Sequence, residues 1–155
     1  MSRNALVKFL DNQNIEYVII THSKAYTAQR IAAAAHVPGK EIAKTVMVKV
    51  DGDLVMVVLP GTEKVSLSKL KKTLNAKEAK VADETEFEHK FPDCELGAMP
   101  PFGSLYDLKV LVDRKLTKDD YIYFNACSHR ELVKMSFETY SKIEKPKIVD
   151  ITVRD

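Results

Sequence analysis

The spacing of hydrophobic and polar residues predicts a chain in which short helices and strands are interspersed. The clearest segment, IAKTVMVKVDGDLVMVVLPG (residues 42–61), contains two strand-forming runs around Asp51-Gly52, a dipeptide favoured in type I′ hairpin turns. Beyond it, three leucines recur at helical spacing over residues 67–74, behind Ser66, which is a suitable N-cap. The pattern therefore indicates a β-hairpin followed by an amphipathic helix.

The remaining predicted elements are shorter, and they complete a mixed α/β fold. We expect strands at residues 17–20, 108–113, 121–126 and 148–153, and helices at residues 3–13, 28–37, 83–89 and 137–143. Thr27 and Ser136 are the expected N-caps of two of these helices. Because at least one strand pair is an antiparallel hairpin, the pattern favours a mixed α/β (α+β) domain over a strictly doubly wound sheet.

Length, composition and charge are those of an ordinary globular domain. The 155 residues, 45% of them hydrophobic and 30% charged, suffice for a single domain over residues 1–155 with its own core. No apolar run approaches the ~20 residues that span a bilayer, and the first residues show no secretory signal, so we expect a cytoplasmic protein without a membrane partner. A net charge of +2 is small for a protein that coats duplex DNA, but it is compatible with a small footprint on a nucleic-acid end.

The two cysteines, Cys94 and Cys127, are too few for a disulfide framework, and we expect both to be reduced thiols, as is usual in the cytosol. Cys127 and His129 are two residues apart, so they share a face if the strand before them continues, and a Cys/His nucleophile pair is one interpretation. The alternative is that Cys127 is a small buried hydrophobic residue. His129 would then be a polar residue at a strand end near a cleft.

Lys44 is the first candidate for a binding role. Within its predicted strand it lies in phase with an isoleucine and three valines, on the more apolar face, which should meet the core. An ammonium group is costly to bury without a partner. Lys44 therefore either reaches solvent, forms an ion pair within the protein, or binds a negative charge on a substrate.

The second candidate is the loop ELGAMPPFGSL (residues 95–105), which contains two of the five glycines and two of the six prolines in the chain. Glycine permits positive φ and close approach of a ligand to the backbone, whereas proline stiffens the chain. We expect a rigid loop whose backbone amides or carbonyls are available to a ligand. The alternative is a purely structural turn between a helix and a strand.

Neither a metal nor another cofactor is expected. The four histidines are scattered, and the sequence has neither paired CxxC spacing nor a phosphate-binding loop of the Walker type. The lysine-rich segment from Lys69 to Lys80 favours a solvated helix face, with a weak phosphate-attracting patch as the alternative.

Three of these segments, in this order, resemble the YbaK/ProX family of aminoacyl-tRNA deacylases, which is similar to the editing insertion domain of bacterial prolyl-tRNA synthetases. IAKTVMVKV resembles the strand that carries the family's functional lysine, here Lys44, and FNACSHRELVKMSF resembles the family's third block. GAMPPFG resembles the family's G-x-x-x-P-[FI]-G loop, matched here by Gly97, Pro101, Phe102 and Gly103. The resemblance covers most of the chain.

The third block departs from the family pattern at Cys127, where glycine is common. If that position needs a positive φ, a cysteine is strained there, and if it lines the pocket, its side chain narrows the pocket. Either effect bears on the amino acid that is accepted more than on the reaction. The resemblance implies that Cys127, Ser128 and His129 bind substrate together with residues 101–103.

For the fold, the resemblance implies a curved, partly barrel-like mixed sheet flanked by helices. For the activity, it implies a metal-independent hydrolase that cleaves the ester of mischarged aminoacyl-tRNA. Lys44 would hold the terminal phosphate or ribose of the tRNA 3′ end, and the backbone of the loop from Gly97 to Gly103 would orient the ester for attack by water. Lys44 and Gly97 are thus the expected catalytic residues.

The implied partners are the aminoacyl-tRNA 3′ end and, as a further candidate, an aminoacyl-tRNA synthetase. Two alternatives belong to other classes of protein. One is a non-catalytic module that binds a tRNA end or a synthetase, and the other is a cysteine-dependent hydrolase.

Overall fold

The structure is a computed structural model that describes residues 4–154, so that Arg3, at the start of the predicted opening helix, lies outside the described residues. The helices are α1 (Asn4–Asn12), α2 (Ala28–Ala35), α3 (Leu67–Leu74), α4 (Glu84–Phe87) and α5 (Phe137–Glu144). The strands are β1 (Val18–Thr21), β2 (Ala43–Val50), β3 (Asp53–Pro60), β4 (Glu63–Val65), β5 (Ala79–Val81), β6 (Lys109–Asp113), β7 (Tyr121–Asn125), β8 (Glu131–Ser136), β9 (Lys147–Val149) and β10 (Thr152–Arg154). Over this part of the chain, none of the helices has the length and apolar character needed to cross a membrane.

The predicted hairpin and the predicted helix caps are confirmed. β2 and β3 pair antiparallel around Asp51 and Gly52, whose φ values of 49° and 89° suit a type I′ turn. Thr27, Ser66 and Ser136 each accept a hydrogen bond at the side-chain oxygen from the backbone N–H three residues later. Local turn and capping chemistry therefore sets these boundaries.

The strands form three sheets, and the mixed α/β fold class is confirmed. Five strands form a mixed sheet in the order β5-β2-β3-β6-β9, in which β6 runs parallel to β3 and to β9. β1, β8 and β7 form an antiparallel sheet, and β4 pairs with β10. An isolated parallel bridge between Ile42 and Tyr123 joins the start of β2 to β7. As far as residues 4–154 show, none of the sheets closes into a barrel.

Apolar layers cover both faces of the five-stranded sheet. On one face the main core extends to the three-stranded sheet, and it includes Met47, Met56, Phe102, Phe124 and Tyr140. On the other face, α3 packs with the valines of β2, which are in phase with Lys44, and with Val55 and Val57 of β3. The prediction that the Lys44 face of β2 meets apolar packing is therefore right, but the opposite face is buried as well.

The prediction of a single closing strand over residues 148–153 is wrong, because two separate strands, β9 and β10, are found there. β9 lies at the edge of the five-stranded sheet, whereas β10 pairs with β4 in another sheet. Between them, the backbone N–H of Ile151 donates to the fully buried carboxylate of Asp113 (3.1 Å), and the carbonyl of Ile151 accepts from Ser66 (2.8 Å). These contacts with distant residues turn the chain, and alternation alone does not reveal them. The strands β4, β5 and β8 were not predicted.

The expectation of two reduced thiols is wrong, because Cys94 and Cys127 form a disulfide with Cα atoms 4.3 Å apart. The two residues are 33 positions apart in the sequence. They meet because the backbone N–H of Glu95 donates a hydrogen bond to the carbonyl of Cys127 (3.0 Å). A count of cysteines cannot show this contact, which depends on how two distant segments pack.

Candidate functional site

The predicted loop and the predicted third block lie against each other at the end of β7. The hydrogen bond from Glu95 to the Cys127 carbonyl joins them, and the Glu95 carboxylate also accepts from the backbone N–H of His129 (3.2 Å). The disulfide from Cys94 to Cys127 links the same two segments covalently. Two of the three segments singled out in the sequence therefore form one structural unit.

The loop holds the His129 ring in one orientation. Nε2 of His129 lies 2.8 Å from the carbonyl oxygen of Leu96, which can only accept, so we assign the proton to Nε2. Nδ1 is then an acceptor, and this buried atom has no hydrogen-bond partner among the described residues. The ring also packs against the exposed Tyr26, with centroids 4.6 Å apart. A buried acceptor of this kind is uncommon in proteins and is typical of a site for water or a ligand.

Gly97 is an exposed point of the loop beside this histidine. Its φ of 84° lies in the left-handed region, and a β-carbon placed on it would lie 3.5 Å from Cε1 of His129. The Gly97 carbonyl is 3.5 Å from Nδ2 of Asn125, a long hydrogen bond. Oδ1 of Asn125 is buried and, within the described part of the chain, lacks a partner. Exposed glycine backbone and two unpaired acceptors thus lie close together.

The second half of the loop is buried and supports the first half. Pro101, Phe102 and Gly103 are all buried, and the Phe102 ring packs edge-on against Tyr140 at 5.2 Å. The hydroxyl of Tyr140 donates to the Pro101 carbonyl (2.6 Å), and a β-carbon on Gly103 would clash with Val110. These contacts anchor the loop in the main core. Direct contact of the three residues with substrate stays a prediction.

Cys127 and Ser128 shape the turn that carries His129. Cys127 has a φ of 67°, in the left-handed region that is uncommon for residues with a β-carbon. The hydroxyl of Ser128 accepts a hydrogen bond from the backbone N–H of Arg130 (3.0 Å). The first of the two conditions considered for Cys127, a requirement for positive φ, is therefore met, and the Ser128 side chain stabilises the turn.

Lys44 lies at the start of β2 and is half-buried. The bridge from Ile42 to Tyr123 aligns β2 with β7, so Lys44 and Asn125 each lie two residues beyond it. From there β2 runs toward the hairpin turn. Lys44 is thus at the strand end that also carries the other two segments. Its contact with substrate stays a prediction.

Three residues near this site were not predicted, namely Asn125, Tyr26 and His22. The backbone N–H of His22 donates to the carbonyl of Arg130 (2.8 Å), and Nε2 of the buried His22 ring has no hydrogen-bond partner in the described residues. Asn125 carries a usable signal, because it is a polar residue at the end of an apolar strand next to the third block. Tyr26 and His22 carry no such signal in the sequence, because it is the pairing of β1 with β8 that brings them to the candidate site.

A large open groove, of about 1010 Å³, lies beside the turn of the β2–β3 hairpin. Its lining includes Lys49, Gly52, Glu86 and Glu144, but none of the predicted site residues. Lys49 and Glu86 form an ion pair there at 2.6 Å. Burial raises the pKa of the Glu144 carboxyl, against the effect of two hydrogen bonds from Ser104. Three of the charged side chains in this groove, Lys49, Glu86 and Glu144, thus have partners within the protein.

Within residues 4–154, no group of three or more His, Cys, Asp and Glu side chains is arranged to hold a metal ion. That the reaction needs no metal or other cofactor stays a prediction.

Fold and site together define a mixed α/β domain with a glycine loop held against a histidine turn. The family of aminoacyl-tRNA editing domains matches residues 22–143, and the chain belongs to this family. The proline–tRNA ligase of Lactococcus lactis subsp. lactis (strain IL1403) is 28% identical over 104 residues. These make up 67% of this chain but 17% of the ligase, so the match spans about a sixth of that relative. The resemblance inferred from the three sequence segments is confirmed.

Two solved structures share the fold. Hypothetical protein APE2540 superposes with a TM-score of 0.86 at 18% identity, covering 97% of this chain and 100% of that one. A protein described as a candidate trans-editing enzyme for prolyl tRNA synthetase superposes with a TM-score of 0.83 at 16% identity, covering 98% of this chain and 97% of that one. At such identities the likeness concerns the fold, and it agrees with the predicted architecture.

Proposed function

We propose that this protein is a trans-editing hydrolase that cleaves the ester of a mischarged aminoacyl-tRNA. Membership of the aminoacyl-tRNA editing domain family supports an editing role. The observation that carries the proposal is the position of the exposed, left-handed Gly97 beside His129, whose Nδ1 is a buried acceptor without a partner among the described residues. Such an acceptor can bind water or a ligand.

In this proposal the backbone at Gly97 holds the scissile ester. A glycine has no side chain to keep the ester away from the main chain. Backbone donors aimed at a developing oxyanion contribute about 3–4 kcal/mol each to transition-state stabilisation. Water attacks the carbonyl carbon, the ester C–O bond breaks, and the ribose hydroxyl and the free amino acid leave.

The side chains around Gly97 position the two ends of the substrate. Nδ1 of His129 and Oδ1 of Asn125 are acceptors that suit the N–H or O–H donors of an aminoacyl-adenosine. Lys44 holds the terminal phosphate or ribose through its positive charge. Cys127 and Ser128 shape the turn beneath the amino acid, and Pro101, Phe102 and Gly103 anchor the loop.

The disulfide supports water over cysteine as the nucleophile. The chain has two cysteines, and both are in the disulfide, so neither is a free thiol. A cysteine-dependent hydrolase needs a thiolate. The further expectations of a single domain over residues 1–155, a cytoplasmic location and a tRNA 3′-end or synthetase partner are part of this proposal.

The test is to incubate the full chain with a panel of mischarged tRNAs and to follow loss of the aminoacyl ester. We expect faster ester loss than in buffer alone for at least one amino acid, with or without a chelator. Binding of aminoacyl-tRNA without ester loss would identify a non-catalytic module and contradict the proposal. Loss of activity in chelator that zinc or magnesium restores would contradict its metal independence.

A further inference from the structure

The disulfide lies between the two halves of the candidate site. Cys94 directly precedes Glu95, whose N–H and carboxylate both contact the turn of His129, and it lies three residues before Gly97. Cys127 lies two residues before His129. A covalent bond at this place fixes the exposed loop backbone relative to the histidine.

The same bond restrains an unfavourable backbone conformation. Cys127 has a φ of 67°, which residues with a β-carbon rarely adopt unless their surroundings enforce it. The hydrogen bonds from Glu95 to the Cys127 carbonyl, from His129 to Glu95 and from His129 to Leu96 hold the segments together as well. Cleavage of the S–S bond leaves these three weaker contacts to oppose relaxation of Cys127, and we expect the turn to loosen.

The two cysteine residues differ in exposure. Cys127 is 1% exposed, whereas Cys94 is half-buried. The Tyr106 hydroxyl lies 3.5 Å from Sγ of Cys94 and 3.8 Å from Sγ of Cys127. Burial, with a smaller effect of the Asp93 carboxylate, raises the pKa of Tyr106 to about 12, so this hydroxyl stays protonated at neutral pH. We therefore expect an attacking thiolate to approach Cys94, the more exposed residue, and Tyr106 is placed to donate to the departing Cys127 thiolate.

We propose that Cys94 and Cys127 form a thiol–disulfide exchange site that sets the activity of the deacylation site. The disulfide form keeps the loop and the turn assembled and active, and the dithiol form loosens them and hydrolyses slowly. The effect on activity rests on the proposed function. The thiol–disulfide exchange at Cys94 and Cys127 and the loosening of the loop and the turn do not. Disulfides in reducing compartments are usually transient and redox-sensing, which agrees with this role.

Reduction of the disulfide by a dithiol proceeds in two exchange steps. One thiolate of the reductant bonds to Sγ of Cys94, the S–S bond breaks, and Cys127 leaves as a thiolate that takes up a proton. The second thiol of the reductant then displaces Cys94, which is released as a thiol. Two electrons and two protons pass to the protein, and the reductant becomes a disulfide. A low-molecular-weight disulfide oxidant reverses both steps.

The first test is structural and needs no substrate. Full-length protein treated with oxidised glutathione is compared with protein treated with dithiothreitol, by thiol alkylation after denaturation and by amide hydrogen exchange. We expect no free thiols in the first sample and two in the second, with exchange at residues 95–98 and 126–130 at least tenfold faster after reduction. The hairpin turn at residues 51–52 should not change.

Two variants separate the bond from its surroundings. In Cys94→Ser, the amide hydrogens of residues 95–98 and 126–130 should exchange as fast as in the reduced wild type under both treatments. In the double variant Cys94→Ser/Cys127→Gly, amide hydrogen exchange in these segments should be slow again, because glycine accepts the positive φ without a disulfide. Two free thiols in wild-type protein treated with oxidised glutathione would overturn the proposal. Equal rates of amide hydrogen exchange in the oxidised and reduced wild type would overturn it as well.

The second test follows ester loss from a mischarged tRNA. We expect kcat/KM to fall at least fivefold on reduction, to recover on reoxidation, and to be insensitive to both treatments in Cys94→Ser. Equal ester loss in both states would overturn the exchange site as a switch while leaving the proposed function in place. If neither the oxidised nor the reduced protein causes ester loss, the proposed function is refuted. If amide hydrogen exchange still differs between the two forms, the structural half of the proposal is supported.

Discussion

The turn of the β2–β3 hairpin and the candidate site beside His129 contain the same kinds of residue in different surroundings. At the turn, Gly52 has a φ of 89°, and no atom of the described residues lies within 4 Å of the position that a β-carbon would occupy. In the loop of residues 95–105, Gly97 has a φ of 84°, and a β-carbon on it would lie against His129. Both positions require a left-handed backbone. Gly97 alone of this pair lies beside a buried acceptor that no described residue satisfies.

The lysines of β2 differ in a similar way. Lys49, near the turn, forms an ion pair with Glu86 at 2.6 Å beside the large groove. Lys44, at the other end, lies level with Asn125, next to the loop and the histidine turn. A positive φ or an inward-facing lysine does not by itself identify a site. We propose that the neighbouring residues distinguish a structural position from a functional one.

The largest expected effect comes from adding a methyl group to each glycine. Gly97→Ala and Gly52→Ala should both lower the free energy of unfolding by about 1–2 kcal/mol, because alanine is strained at positive φ. Gly97→Ala should also lower kcat/KM by about 100-fold or more, as expected when a backbone oxyanion donor is displaced. Denaturant unfolding and deacylation kinetics on both variants measure the two effects. A Gly97→Ala protein that is destabilised yet hydrolyses normally would defeat the account of backbone catalysis.

The next effect concerns the two lysines. Lys44→Ala should lower kcat/KM by about 10- to 100-fold, since a hydrogen bond to a charged group contributes about 1.5–3 kcal/mol. Lys49→Ala should lose the ion pair with Glu86 but keep its activity per folded molecule. Kinetics on both variants, with circular dichroism to verify folding, make the comparison. Full activity of folded Lys44→Ala would remove Lys44 from the site.

A smaller effect is expected at Cys127. Cys127→Gly removes the side chain but permits the observed φ, so hydrolysis should persist under reducing conditions. The ratio of kcat/KM for two amino acids should change by about tenfold, as for a change of one or two small groups in a pocket. The ratio is measured with two mischarged tRNAs. Complete inactivation of the variant, with a trapped acyl-thioester in the wild type, would favour a cysteine nucleophile instead.

The smallest effect is the dependence of binding on salt. A protein that contacts one or two phosphates at a tRNA end should show a slope of log Kd against log salt of about 1–2 in magnitude. Binding is measured by fluorescence anisotropy between low and moderate salt. A slope of about 5 or more would mean that the protein also contacts the body of the tRNA, and it would contradict a small footprint on the tRNA end.

Local chemistry accounts for what the sequence predicted well. The hairpin turn at Asp51-Gly52 and the caps at Ser66 and Ser136 depend on residues within a few positions, and all are found where expected. The loop and the third block were recognised from their composition and from the family resemblance. Their contact with each other is long-range.

Long-range contacts account for what was missed. The disulfide depends on the hydrogen bond from Glu95 to Cys127, and the break after β9 depends on buried Asp113. His22 and Tyr26 reach the site through the pairing of β1 with β8. None of these contacts has a periodicity or a motif, because each joins residues far apart in the chain.

The central claim is that the ester end of aminoacyl-tRNA binds at Gly97 and not at the large groove near the hairpin turn. Titration of the ¹⁵N-labelled protein with a non-hydrolysable 3′-aminoacylamino-adenosine, followed by amide chemical shifts, tests it most directly. We predict saturable shifts at Gly97, Ala98 and His129, with Gly52 and Leu54 unchanged. Shifts confined to Gly52, Leu54 and the rest of that groove would contradict the account.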